Sequence, residues 1–152
     1  MFPVQPVTLT SRYGGWLAAA FLLATSAALA RGNMQSVAGP ALVVDADTLT
    51  INQHSIRLDG IDAPEKSQNC LKNGQSWPCG REAALALKKW IAGRDVSCVG
   101  SNFDRYGRLL ARCTVKGQNV GSWLVSSGWA FAYRKYSDDF VPHENLARQT
   151  SK

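Results

Sequence analysis

At 152 residues the chain holds one ordinary domain and is too short for two well-buried cores. With 45% hydrophobic and 18% charged residues it is neither a disordered polyelectrolyte nor a polytopic membrane protein. A count of 17 Lys and Arg against 11 Asp and Glu leaves a net charge of +6, which suits an anionic partner such as nucleic acid, a phosphate-bearing substrate or an anionic surface, without requiring one.

Residues 1–30 read as a targeting segment. Arg12 is their only charged side chain, and an apolar run from Trp16 ends in Ala28-Leu29-Ala30, the small-x-small pattern of a secretory leader's cleavage site. Cleavage near Ala30/Arg31 predicts a secreted or periplasmic bacterial protein. A retained membrane anchor is the competing expectation, since the uncharged stretch 13–30 is at the lower edge for crossing a bilayer core of ~30 Å.

Residues 31–40 are polar and Gly-containing and predict a flexible lead-in, with the folded domain at 41–152. Strands are predicted at 41–44, 48–51 and 55–61 from short apolar runs and period-2 alternation. Residues 66–78 carry Lys, Ser, Gln, Asn, Gly and Pro and predict a loop. Ala84, Leu87 and Ile91 then recur at helical spacing, with Gly93 as the stop. Two further strands, 95–100 and 109–115, flank the turn Asp104-Arg105-Tyr106-Gly107-Arg108. Short helices are predicted from Val120 to Gly128 and from near Pro142. Local strand pairing with interspersed helices indicates an α+β domain or a small barrel with helices.

Four cysteines allow three pairings. Cys70–Cys79 is favoured because it closes a short polar loop, and Cys98–Cys113 because it joins two neighbouring strands. Each closure stabilises by ~2–4 kcal/mol in the chain-entropy model. Zinc is disfavoured, because no Cys-x-x-Cys or Cys/His pair stands at ligand spacing.

Three clusters carry candidate chemistry: Asp45 and Asp47 around Ala46; Arg57 followed by Asp62-Ala63-Pro64-Glu65; and Arg105 and Arg108 with Tyr106 in the turn. Carboxylates suit a hard divalent cation, and guanidinium forks match phosphate oxygens. Such a set, with no central histidine, points to phosphoryl rather than acyl chemistry. Singly, each has an ordinary reading as a turn aspartate, a solvated basic patch or a cross-strand ion pair. His54 and His143 read as surface residues, and the five tryptophans as core or rim.

In combination and order, Val44-Asp45-Ala46-Asp47-Thr48-Leu49, Arg57-Leu58-Asp59-Gly60-Ile61-Asp62-Ala63-Pro64-Glu65 and Asp104-Arg105-Tyr106-Gly107-Arg108 resemble the thermonuclease (staphylococcal nuclease-like) family over about residues 41–148. The resemblance implies a five-stranded OB-type β-barrel with about three helices and Ca²⁺-dependent hydrolysis of DNA and RNA phosphodiesters. It further implies single-stranded or denatured substrate, a monomer and no protein partner. Carried over residue by residue, Asp47 and Asp62 hold the metal with the backbone carbonyl of Ala63, supported by Asp45. Arg57 and Arg108 hold the scissile phosphate, and Glu65 orients or deprotonates the attacking water. Arg105 and Tyr106 match contacts to a terminal phosphate, and Tyr133 or Tyr136 supplies an aromatic wall for a base. The family usually has glycine where Ala46 stands; a positive φ there would strain alanine by roughly 1–2 kcal/mol. The alternatives are a non-catalytic barrel that binds nucleic acid or another polyanion, and an envelope assembly protein holding anionic polysaccharide.

Overall fold

The first strand determines how the sheet closes. A computed structural model of the protein describes residues 33–150; the expected leader and its cleavage site lie outside the described residues. Strand β1 (Gln35–Asp45) pairs antiparallel with two partners in succession. Its first half, Gln35 to Pro40, runs against β7 (Asp95–Phe103), and its second half, Ala41 to Asp45, against β2 (Thr48–Ile51). The lead-in expected over 31–40 is therefore strand from Gln35 onward. Its own alternation is weak, and the pairing with β7, far along the chain, holds it in place.

A two-residue turn at Asn52-Gln53, both at positive φ, returns the chain into β3 (His54–Leu58). This is the backbone geometry that tight hairpins need, and asparagine tolerates it. Strand β8 (Leu109–Val115) pairs antiparallel with β7 and parallel with β3, through Ile56↔Leu109 to Leu58↔Ala111. That parallel seam closes β1, β2, β3, β8 and β7 into a five-stranded barrel. Inside it lie Leu49, Ile51, Ile56, Val96, Leu109 and Val115.

The Cys98–Cys113 bond is also inside, between residues that face each other across β7 and β8. Cys70–Cys79 is the second bond, so both expected pairings are present. Helix α1 (Cys79–Ile91) lays Ala83, Ala84, Leu87 and Ile91 on the core and ends with Ala92 and Gly93 in left-handed conformations. The segment 66–78 contains a small hairpin, β5 (Cys70–Lys72) with β6 (Gln75–Trp77), where a loop was expected. Helices α2 (Val120–Ser126) and α3 (Val141–Gln149) follow β9 (Gln118–Asn119) and β10 (Phe131–Ala132) respectively. The fold is thus the α+β barrel with three helices that the sequence predicts. His143 departs from expectation: it is half-buried and hydrogen-bonds Ser126 Oγ at 3.0 Å.

Candidate active site

Asp47 occupies the turn between β1 and β2 and is 1% exposed. Its carboxylate accepts hydrogen bonds from Ala63 N–H at 3.0 Å and Thr48 Oγ1 at 3.1 Å, and it pairs with the Arg57 guanidinium. Burial pushes this carboxyl above the ordinary carboxylate range, while Arg57, the Ala63 N–H and Thr48 pull it back. Arg57 stands opposite Thr48 in the β2–β3 register and also donates to Asp62 Oδ1 at 2.8 Å. Its side chain is only 15% exposed, so its charge is poorly screened by water. Asp62 itself lies in β4 (Ile61–Asp62), opposite Phe131 of β10.

The second arginine is set by a tight turn. Gly107, at positive φ, donates its N–H to Asp104 O at 3.0 Å, and Asp104 Oδ1 accepts the N–H groups of Tyr106 and Arg108. Only a residue at ease with positive φ fits this corner. Asp104 Oδ2 then takes Arg108 Nε at 2.7 Å. Partial desolvation acts to raise the Asp104 carboxyl, but the hydrogen bonds from Arg108 and Tyr106 hold it below the ordinary range. Arg108 also donates to Thr48 Oγ1 at 3.2 Å. Thr48 therefore links Arg108 to the buried Asp47, which Arg57 contacts directly.

The aromatic segment reaches the same place through short backbone ties. Tyr133 N–H donates to Gly60 O at 2.9 Å, and β10 pairs with β4. Tyr133 and Tyr136 meet edge to face at 4.9 Å. Tyr106 carries the Arg105 and Arg108 guanidinium groups at 5.0 and 5.4 Å from its ring centre. Further back, Arg134 is fixed by the buried Glu144, and that hydrogen bond holds the Glu144 carboxyl below its ordinary range.

The two arginines and the tyrosines border an open cleft of 740 Å³, within the roughly 300–1,000 Å³ of small-ligand sites. The cleft is lined by Arg57, Asp62, Glu65 and Arg108, together with Arg105, Tyr106, Tyr133 and Tyr136. Asp47 is beneath this surface and touches it through Arg57. Asp45 is tied to Lys66 N–H at 2.8 Å, supporting the segment that carries Glu65. Ala63 is held through its N–H by Asp47.

Ala46 has no positive φ; its methyl is fully buried in the core, and the strain that its position suggested is absent. Asp104, Thr48, Phe103 and Lys135 were not singled out as site residues. An aspartate three residues before a turn glycine is a local signal for Asp104. Thr48 stands in the quoted 44–49 segment with no role assigned to it, while Phe103 and Lys135 carry no motif and reach the site only through the fold.

Asp47 and Asp62 converge on one cationic group, the Arg57 guanidinium. No cluster of three or more His, Cys, Asp or Glu side chains suited to a metal occurs among the described residues. The carboxylates of Asp47 and Asp62, with backbone carbonyls of the same segment, offer oxygen donors only. That chemistry fits a hard cation such as Ca²⁺ and not a soft one.

A family model described as staphylococcal nuclease homologue matches residues 55–152. The chain is 38% identical over 100 residues to the succinoglycan biosynthesis protein ExoI of Rhizobium meliloti (strain 1021), across 64% of this chain and 52% of that protein. It is 34% identical over 117 residues to an uncharacterized endonuclease of Escherichia coli O157:H7, across 72% and 71%. Over 96 residues it is 32% identical to the staphylococcal-like nuclease CAN1 of Arabidopsis thaliana, across 62% and 27%. With the barrel, the paired arginines and the matched segment in agreement, the chain belongs to the family of staphylococcal nuclease homologues.

Proposed function

We propose that the protein is an exported, Ca²⁺-dependent nuclease that hydrolyses phosphodiester bonds in DNA and RNA. The observation that carries this reading is the meeting of Arg57, Arg108 and Glu65 on one cleft rimmed by Tyr106, Tyr133 and Tyr136. The endonuclease and nuclease names of its relatives support the same reading. The leader-like segment 1–30 and the two disulfides support an oxidising destination.

In-line attack on a phosphodiester gathers negative charge on the non-bridging oxygens. Arg57 and Arg108 meet that charge with planar forks of donors already held in place by Asp47, Asp62 and Asp104. Because the donors are fixed beforehand, they stabilise the transition state more than the ground state. Glu65, exposed at the cleft, orients the attacking water and accepts its proton on the carboxylate. Asp47, Asp62 and the Ala63 carbonyl would hold Ca²⁺, which when bound would supply Lewis-acid polarisation of a phosphoryl oxygen. Arg105 binds a neighbouring phosphate, and the tyrosines stack unpaired bases, which favours single-stranded or denatured substrate.

The test is cleavage of heat-denatured DNA and of RNA by the purified protein, with Ca²⁺ or with excess chelator, beside Glu65→Gln. Calcium-dependent cleavage that is about 10²–10⁴-fold slower in the variant is the expected result. A folded, oxidised wild-type protein that binds the strands and never cleaves them would leave the polyanion-binding barrel as the function.

A further inference from the structure

Glu65 sits at the end of a segment with little packing of its own. Residues 65–76 are exposed apart from the half-buried Cys70, and two three-residue strands do not form a stable hairpin alone. On the barrel side, Asp47 and Asp45 fix the N–H groups of Ala63 and Lys66. On the other side, Glu65 O accepts Gln68 N–H at 2.8 Å, and Gln68 O accepts Gly80 N–H at 3.2 Å. Gly80, in the first turn of α1, comes so close that a Cβ there would stand 1.7 Å from Glu65 O. Next to it, Cys79 is bonded to Cys70, whose Cα lies 5.6 Å away. This bond fastens the exposed hairpin to a helix anchored on the core by Ala83, Leu87 and Ile91. Cys98–Cys113 is enclosed in the barrel and borders no part of the cleft.

We propose that the Cys70–Cys79 disulfide, acting through the Gly80–Glu65 backbone contact, is a positioning device for Glu65, so that turnover depends on this one bond being oxidised. The inference rests on Glu65 being the water-directing carboxylate of the proposed nuclease. With the bond open, the Gln68–Gly80 tie adjoins a hairpin held only by its own few hydrogen bonds, and such a segment opens locally. A carboxylate misplaced by about 1 Å costs on the order of 10²-fold in rate, while substrate still meets the same arginines and tyrosines. The effect therefore falls on kcat and not on KM.

The experiment compares oxidised full-length protein, the same protein treated with low dithiothreitol, and Cys70→Ser/Cys79→Ser. Reduction converts the S–S bond to two thiols, the two electrons and two protons coming from dithiothreitol, which becomes its cyclic disulfide. Cys70 is partly exposed and Cys98 and Cys113 are enclosed, so the loop bond opens first. Steady-state cleavage of heat-denatured DNA with Ca²⁺ gives kcat and KM, near-UV circular dichroism reports the fold, and amide hydrogen exchange reports the Gln68 and Gly80 N–H groups. Opening the bond is expected to lower kcat by about 10²-fold with KM steady, to speed exchange at those two amides, and to be reversed by reoxidation. In a Glu65→Gln background it is expected to change kcat no further. If the serine variant does not fold, the selectively reduced protein decides the matter. Unchanged kcat, unchanged exchange, or an equal further loss in the Glu65→Gln background overturns the proposal. Oxidised wild type that never cleaves overturns the nuclease reading and this inference with it, whereas cleavage insensitive to the bond overturns only the inference.

Discussion

Replacing Ala46 by glycine tests whether the alanine is a defect or a packing element. The Ala46 methyl is fully buried, and its backbone does not use the left-handed region. Ala46→Gly therefore removes one enclosed methyl, worth about 0.8 kcal/mol. It also loosens the unfolded chain, for about 0.4–1 kcal/mol more, because the native conformation already suits alanine. Together these lower stability by about 1–2 kcal/mol and Tm by roughly 4–8 °C. Thermal unfolding followed by tryptophan fluorescence measures the shift, and cleavage rates well below Tm are expected to match wild type. A Tm that stays or rises, accompanied by faster cleavage, would refute the packing argument and show that the turn needs glycine.

The two arginines are expected to separate catalysis from stability. Arg57→Ala and Arg108→Ala each lower kcat by about 10²–10³-fold, but only the first strands the buried Asp47 carboxylate, so only Arg57→Ala lowers Tm by many degrees; equal melting losses would sink this distinction. Glu144 has a depressed carboxyl pKa, so its stabilisation is present above the unfolded value of about 4.3 and is lost as pH falls through the lower folded value. The Tm gap between wild type and Glu144→Gln is accordingly expected at pH 7 and expected to close in acid; a gap of the same size throughout the acid range would contradict it. Lys135→Gln, which changes a cleft-lining cation, is expected to reduce the log–log salt slope of single-stranded DNA binding by about 0.7, read from a fluorescence titration over increasing salt.

Features with short-range causes were legible in the sequence. Helix α1 follows from Ala84, Leu87 and Ile91 at helical spacing, and the β7–β8 hairpin from alternation on either side of Asp104-Arg105-Tyr106-Gly107-Arg108. Period and turn chemistry act over a few residues, so a linear reading captures them. The disulfide partners are legible on similar grounds, Cys70–Cys79 closing a short loop and Cys98–Cys113 joining neighbouring strands across a turn. The candidate acids and arginines were visible as types in a recognised order.

Tertiary structure alone decided how those residues meet. The parallel β3–β8 seam sets Arg57 beside the Arg108 turn, and no local pattern encodes that seam. The first half of β1 is a strand because β7 pairs with it, and residues 31–40 carry no signal of that partner. Strain at Ala46 depends on its backbone conformation, which the fold makes ordinary while burying the methyl. The roles of Thr48 and Gly80 likewise depend on contacts made across the barrel and between a loop and a helix. Periodicity and turn preference arise from neighbouring residues, whereas seams, burial and close backbone approach arise when distant segments compete for one core. The first can be read along the chain, and the second exists only once the barrel has closed.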